Sequence, residues 1–163
     1  MEQLYKMHNR SIYKYIFYLT QDPMLAEDLL QETFLRAWKQ TTYKKQANEL
    51  TWLRIIARNL VYDHFRRKRL IQFITFGKEH DRPASNSSLD YVLQDEQRKA
   101  LYTALATLSV QHREVLLLRK MEKCSIAETA IILNCSEDQV KNRQKAALQK
   151  LRIVWKEEKD SEE

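Results

Sequence analysis

One glycine in 163 residues, Gly77, restricts this chain more than any other feature. Glycine ordinarily makes up about 7% of a sequence. It supplies the positive φ of tight hairpin turns and the bare backbone of phosphate-cradling loops. A chain nearly without it is a poor candidate for an all-β fold, a Rossmann unit or a P-loop. Pro23 and Pro83 are the only prolines, so little interrupts long helices. The expected fold class is all-α.

Gly77 and Pro83 fall within one polar, Ser-rich stretch, residues 77–90, that lacks hydrophobic periodicity. Such a segment reads as a linker. The expected organisation is two small helical domains, 1–75 and 93–160, joined by a flexible linker at 76–92. The chain carries 28 Lys+Arg against 22 Asp+Glu, net +6. Residues 1–69 hold 13 bases and 7 acids, while residues 94–163 hold 13 and 12. Within the second block, positions 140–156 nevertheless carry Lys141, Arg143, Lys145, Lys150, Arg152 and Lys156 and no acid. A basic excess of this kind suits a polyanion, with anionic membrane the lesser option. No apolar run reaches the roughly 18 residues of a membrane span. The N-terminus lacks a signal-peptide core. The expected location is the cytoplasm, without membrane insertion.

Periodicity places the helices. Residues 2–20 form one, with Leu4, Met7, Ile12, Tyr15, Ile16 and Leu19 as its apolar stripe. Asp22-Pro23 opens the next, Asp as N-cap and Pro at the first helical position. From there Ala26, Leu29, Leu30, Thr33, Phe34, Ala37 and Trp38 recur at helical spacing and are expected to face inward. The opposite stripe is Glu27, Asp28, Gln31, Glu32 and Leu35. It reads either as a site for a basic protein partner or as a solvated face. Residues 41–50 break the pattern. A further helix, about Thr51 to Arg69, sets Trp52, Leu53, Ile56, Leu60 and His64 on one side and ends in Arg66-Arg67-Lys68-Arg69. Aromatic rings stack on unpaired bases and Arg holds the backbone, so this helix fits single-strand binding. Packing is the other reading, preferred for Trp52 and His64 and evenly balanced for Tyr62.

In the second block Leu93 to Leu108 reads as one amphipathic helix. Ser109 caps the next, which carries Val115, Leu116 and Leu118. Two capping boxes follow, Ser125-Ile-Ala-Glu128 and Ser136-Glu-Asp-Gln139. Asn134 between them suits a left-handed helix end. Two helices so closely joined, the second basic, make a helix-turn-helix. On the second, Val140, Ala147, Leu148 and Leu151 are expected inward, and Glu137, Asp138, Lys141, Asn142 and Lys145 outward. Asn pairs bidentately with adenine and Lys contacts guanine, while Arg143 and Lys150 can neutralise phosphates. The alternative is a helical hairpin with a solvated basic face.

Catalytic and metal patterns are absent. His8, His64, His80 and His112 are scattered, and Cys124 and Cys135 read as core thiols without zinc spacing. Asp63 and His64 are helix neighbours about 100° apart, a poor acid–base pair. The expectation is no enzyme, no cofactor and no metal.

Several strings resemble a known family. Ala26-Glu-Asp-Leu-Leu-Gln-Glu-Thr-Phe-Leu-Arg-Ala-Trp38 is similar to the core-polymerase-binding helix of bacterial sigma factors. Trp52-Leu-Arg-Ile-Ile-Ala-Arg-Asn-Leu-Val-Tyr-Asp-His-Phe-Arg-Arg67 resembles the promoter-melting helix of the extracytoplasmic-function (ECF) group. Leu108, Gln111-His-Arg-Glu-Val-Leu-Leu-Leu-Arg119 and the helix-turn-helix resemble the −35-binding domain. The resemblance implies a non-enzymatic factor that binds RNA polymerase core, directs it to promoters and helps open the duplex. Asp28, Gln31, Glu32 and Leu35 would then meet the basic clamp helices of the largest subunit. Loop 41–50 and the face of Arg58, Asn59, Tyr62 and Asp63, with Arg66 and Arg67, would hold the opened −10 strand. Lys141, Asn142, Arg143 and Lys145 would read the −35 duplex. The implied partners are polymerase core (clamp helices and flap), promoter DNA and an anti-sigma factor. The chain departs from the family pattern at Glu122-Lys-Cys-Ser125, where Glu-Gly-Leu-Ser is usual, at Asn134 in place of the turn Gly, and at Gln144, Ala146 and Leu148. A stand-alone helix-turn-helix regulator is the runner-up, but it would have no need of the first block's two motifs together. A recombinase-like enzyme would require a carboxylate cluster or a nucleophile with paired Arg. A sigma-like protein without promoter activity remains a further reading.

Overall fold

A computed structural model describes residues 1–40, 48–74 and 96–161. The expected linker 76–92 lies outside the described residues, as does 41–47 of the loop. All regular structure among the described residues is helical. The chain divides into two compact units, Met1–Ser88 and Leu89–Glu163.

The first unit is a bundle of α1 (Glu2–Thr20), α2 (Pro23–Lys39) and α3 (Glu49–Ile74), each packed on the other two. Its core is Ile12, Tyr15, Ile16 and Leu19 from α1, Ala26, Phe34 and Ala37 from α2, and Leu53, Ile56, Ala57, Leu60 and Val61 from α3. Local chemistry sets the breaks. Gln21 takes the left-handed region at φ 56°, and its N–H bonds the Phe17 carbonyl at 2.7 Å, the single-bond form of a left-handed helix end. Asp22 Oδ1 then accepts from the Met24 and Leu25 amides at 3.1 and 3.2 Å, a cap worth about 1 kcal/mol. Asn48 Oδ1 accepts from the Thr51 amide at 2.8 Å, so α3 starts at Glu49, two residues before the sequence-based start.

Helix lengths correct several sequence expectations. At 1.5 Å per residue, α3 spans about 39 Å and α2 about 26 Å. The buried residues of α3 stop at Val61. His64 continues the buried face but is only half-buried, with its ring edge-on to Phe65, so it is not a core residue. Trp38 does not face inward: it is 66% exposed. Twelve helical residues rotate by about 1,200°, returning about 120° away from Ala26. Met7 fails likewise, about 140° from Ile12, and is exposed. Phe17 and Tyr18, left out of the expected stripe, are buried instead.

The second unit comprises α4 (Glu96–Ala106), α5 (Val110–Leu116) with a π-helical turn Leu117–Met121, α6 (Ile126–Leu133) and α7 (Glu137–Ser161). Helices α4, α5 and α6 each pack on α7. Tyr102, Leu105, Leu108, Val115, Leu116, Leu117, Leu118, Ile132, Val140 and Ala147 form its core. Ser109 Oγ caps α5 by accepting from the His112 amide at 3.3 Å. Cys124 is buried, whereas Cys135 is only half-buried and is not a core thiol.

Candidate nucleic-acid and protein interfaces

The α6–α7 junction is built almost entirely by neighbours in sequence. Ser125 Oγ accepts from the Glu128 amide at 3.0 Å, and the Ser125 amide donates to Glu128 Oε2 at 2.8 Å. Asn134 adopts φ 51°, ψ 53°. Its N–H bonds the Ile131 carbonyl at 3.3 Å, and the Cys135 N–H bonds Ala130 at 3.1 Å, the paired bonds of a Schellman end. Ser136 and Gln139 then repeat the reciprocal box at 3.1 and 3.0 Å. Both boxes and the left-handed Asn match the sequence reading.

This junction fixes the direction of α7 and thereby its outer face. Val140 and Ala147 are fully buried, and Leu148 and Leu151 are half-buried. Lys141, Asn142 and Lys145 are exposed together, and Arg143 is half-buried beside them. The Lys141 ammonium lies 3.8 Å from Asp138 Oδ1 and is otherwise open to solvent. Gln144 turns toward the protein, accepting from Arg119 Nε at 3.0 Å, and Arg119 also donates to the Cys124 carbonyl. That link ties the π turn to α7 across 25 residues of sequence. Lys123, where the family pattern has Gly, has φ 52°.

On α3 the expected strand-binding residues share one stretch of surface, but they engage each other. The Arg58 guanidinium sits 4.3 Å over the Tyr62 ring, and both are half-buried, so the cation–π contact is worth about 1 kcal/mol. Tyr62 also meets Phe65 edge-on at 6.4 Å. Arg66 Nη2 donates to Asp63 Oδ1. Asn59 and Arg67 are exposed. Tyr62 is half-buried, between its two sequence readings.

On α2, Asp28 and Gln31 are exposed, and Leu35 is 46% exposed. Glu32 Oε1 accepts from Arg36 Nε at 2.8 Å on the same surface. Sequence reasoning missed the full extent of this face. Met24 and Trp38 are also exposed there, and the spacing 24, 28, 31, 35, 38 was the signal for it.

His112 and Tyr13 are both perturbed. Burial lowers the His112 pKa from its ordinary 6.5, and Lys150 lowers it further. Burial raises the Tyr13 pKa above 10.0, helped by Glu27 and then Asp22. No group of three or more His, Cys, Asp or Glu could hold a metal among the described residues. No described helix is long and apolar enough to cross a membrane.

Comparison with known proteins follows the same two units. Residues 4–71 match the family model described as Sigma-70 region 2, and residues 98–151 match Sigma-70, region 4. The chain is 36% identical over 152 residues to the ECF RNA polymerase sigma factor BldN of Streptomyces coelicolor, covering 91% of this chain and 58% of BldN. It is 32% identical over 155 residues to the ECF RNA polymerase sigma factor SigX of Bacillus subtilis, covering 91% of this chain and 80% of SigX. Among solved structures, it is similar to the sigma factor RpoE of Bartonella quintana, crystallised with the anti-sigma factor NepR. The TM-score is 0.74 at 25% identity, over 95% of this chain and 96% of that one.

Proposed function

The chain belongs to the ECF group of sigma-70 RNA polymerase sigma factors, and from that premise we propose that it binds core polymerase, recruits it to promoters and opens the DNA. One observation carries the reading: regions 2 and 4 of the family occur in one chain, at 4–71 and 98–151. A stand-alone helix-turn-helix regulator is disfavoured because it would leave the region 2 match without a role.

The work divides by domain, taken as 1–75 and 93–160 with 76–92 between them. The α2 face of Asp28, Gln31, Glu32 and Leu35 docks on a basic surface of the polymerase. Lys141, Asn142, Arg143 and Lys145 of α7 enter the major groove of the −35 element, where Asn and Lys donors meet base edges and cations meet phosphates. Arg58, Asn59, Tyr62, Asp63, Arg66 and Arg67 of α3 hold the opened −10 strand. An extruded base loses a few kcal/mol of stacking, recovered by ring stacking and backbone contacts. The protein supplies no catalytic step and acts in the cytoplasm beside the polymerase. By analogy with its relatives, an anti-sigma protein restrains it.

Transcription in vitro with purified core polymerase and genomic DNA tests this. Promoter-specific transcripts that appear only when the protein is added are expected. Transcription no different from core alone would refute it.

A further inference from the structure

A polar link lies directly beside the duplex-reading face of α7. Gln144 Oε1 accepts from Arg119 Nε at 3.0 Å, and Arg119 Nη1 donates to the Cys124 carbonyl. Cys124 immediately precedes Ser125, whose side chain caps α6. One rigid guanidinium fork therefore joins the π turn, the start of α6 and the flank of α7. The turn that carries Arg119 is itself held, because the Glu122 and Cys124 amides bond the Leu117 and Leu118 carbonyls, each at 2.9 Å. Arg119 and Gln144 are both half-buried, so water competes less for their bond than on an open surface. Gln144 stands between Arg143 and Lys145 in the chain and about 60° around the helix from Lys141. The other inward positions of this stretch, Val140, Ala147, Leu148 and Leu151, are apolar. Apolar burial is non-directional, so it holds α7 in place but resists rotation about the helix axis only weakly. A hydrogen bond has a preferred distance and angle, which suits the Arg119–Gln144 bond to fixing that rotation. A turn of about 10° moves an atom about 5–6 Å from the axis by about 1 Å. That exceeds the spread of good donor–acceptor distances at a base edge, roughly 2.7–3.2 Å. A phosphate tolerates the same shift, because a flexible Lys follows it as a point charge. Gln144 is also one of the places where the chain departs from the family pattern, and an apolar side chain there would accept nothing.

We propose that Gln144 is a positioning residue for −35 recognition: anchored by Arg119, it sets the rotation of α7 at which Lys141, Asn142 and Lys145 meet base edges. The inference rests on the proposed duplex reading by α7 and adds to it a residue that acts through its neighbours rather than on the DNA. Discrimination between base pairs depends on the link, because base-edge contacts are directional. Attraction to the phosphate backbone does not, because it carries no sequence information and needs no exact register.

The test uses the full chain bound to purified core polymerase, on a promoter obtained from the transcription assay above. Gel shifts compare Kd for the intact −35 duplex, for duplexes with single base-pair changes in it, and for unrelated duplex across a salt series. Helicity and thermal melting establish that each variant is folded. Gln144→Leu should cut the discrimination between intact and altered −35 duplex about tenfold, the size of one misplaced base contact. Its Kd for unrelated duplex and its salt slope should stay within about twofold of wild type, because both report phosphate contacts. Gln144→Glu keeps an acceptor for Arg119 and should retain the discrimination. Arg119→Met/Gln144→Leu removes donor and acceptor together, strands no donor of the link, and should lose the same discrimination as Gln144→Leu. Unaltered discrimination in Gln144→Leu and in the double variant would overturn the proposal. An equal loss on intact, altered and unrelated duplex would also overturn it, because that pattern marks a bond that only supports the fold. A wild-type holoenzyme with no −35 preference would instead overturn the α7 reading on which the proposal rests.

Discussion

The surfaces proposed for DNA on α7 and α3 are both helix faces bearing bases and amides, yet they are prepared differently. On α7, Lys141, Asn142 and Lys145 point outward and only Lys141 has a near counter-charge, at 3.8 Å. On α3, Arg58 covers the Tyr62 ring and Arg66 engages Asp63. A duplex presents its groove edges before any protein arrives, so a ready-made set of donors suits it. A single strand exists only after melting. A face whose groups satisfy each other until bases become available suits that later event, because each internal contact is exchanged rather than left open. The contrast teaches that closed-complex binding and opening should respond to separate mutations.

The largest expected effect breaks the α7 side. Asn142→Ala with Lys145→Ala should weaken binding to closed promoter duplex by about 1–3 kcal/mol per lost base contact. The defect should persist on a template already melted at −10, as read by gel shift on both templates. Next, Asn59→Ala with Tyr62→Ala should leave closed-duplex binding unchanged and impair opening, since each stacked base is worth about 1–3 kcal/mol. Permanganate footprinting reads this directly. Normal opening with unchanged −10 preference would remove the strand-capture role from α3.

A smaller effect sharpens the comparison between the units as scaffolds. Lys123 holds φ 52° just before α6, a conformation that costs a side chain with Cβ about 1–2 kcal/mol. Lys123→Gly should relieve it, less the extra freedom Gly gains when unfolded, for a net gain of about 0.5–1 kcal/mol. Calorimetry should show the melting temperature of the second unit rising while the first stays put. The smallest effect concerns pH. His112 has a lowered pKa in the fold, so the unfolded chain binds more protons once pH falls toward 6.5. Stability attributable to His112 is therefore full above about 6.5 and declines as pH drops toward the folded value. His112→Asn should flatten that acid-side loss in the second unit. An unchanged slope between pH 7 and pH 5 would show that His112 is not its source.

Legibility in the sequence followed the range of the interactions. The caps at Asp22, Ser109, Ser125 and Ser136 and the left-handed Asn134 were readable because their partners lie within a few residues. The outward set on α7 was readable for the same reason: helical periodicity from a well-fixed start tells which side is which. The left-handed end at Gln21 went unread, because Gln carries no preference that marks it.

By itself, the sequence determined that the chain is helical, where most helices begin, that the second unit holds a helix-turn-helix, and which family it joins. Scarce glycine and short-range hydrogen bonding act before any packing. Tertiary structure alone decided how far along each helix its burial extends. His64 became half-buried, although it continues the buried face of α3, because a helix face is buried only where neighbouring helices reach it. Arg54 and Glu114 went inside, at 4% and 1% exposure, although their charge argues for solvent. The Arg119–Gln144 bond joins residues that only the packing of the second unit brings together. Periodicity gives a direction around a helix axis, and only the length and placement of the neighbours determine whether anything stands there.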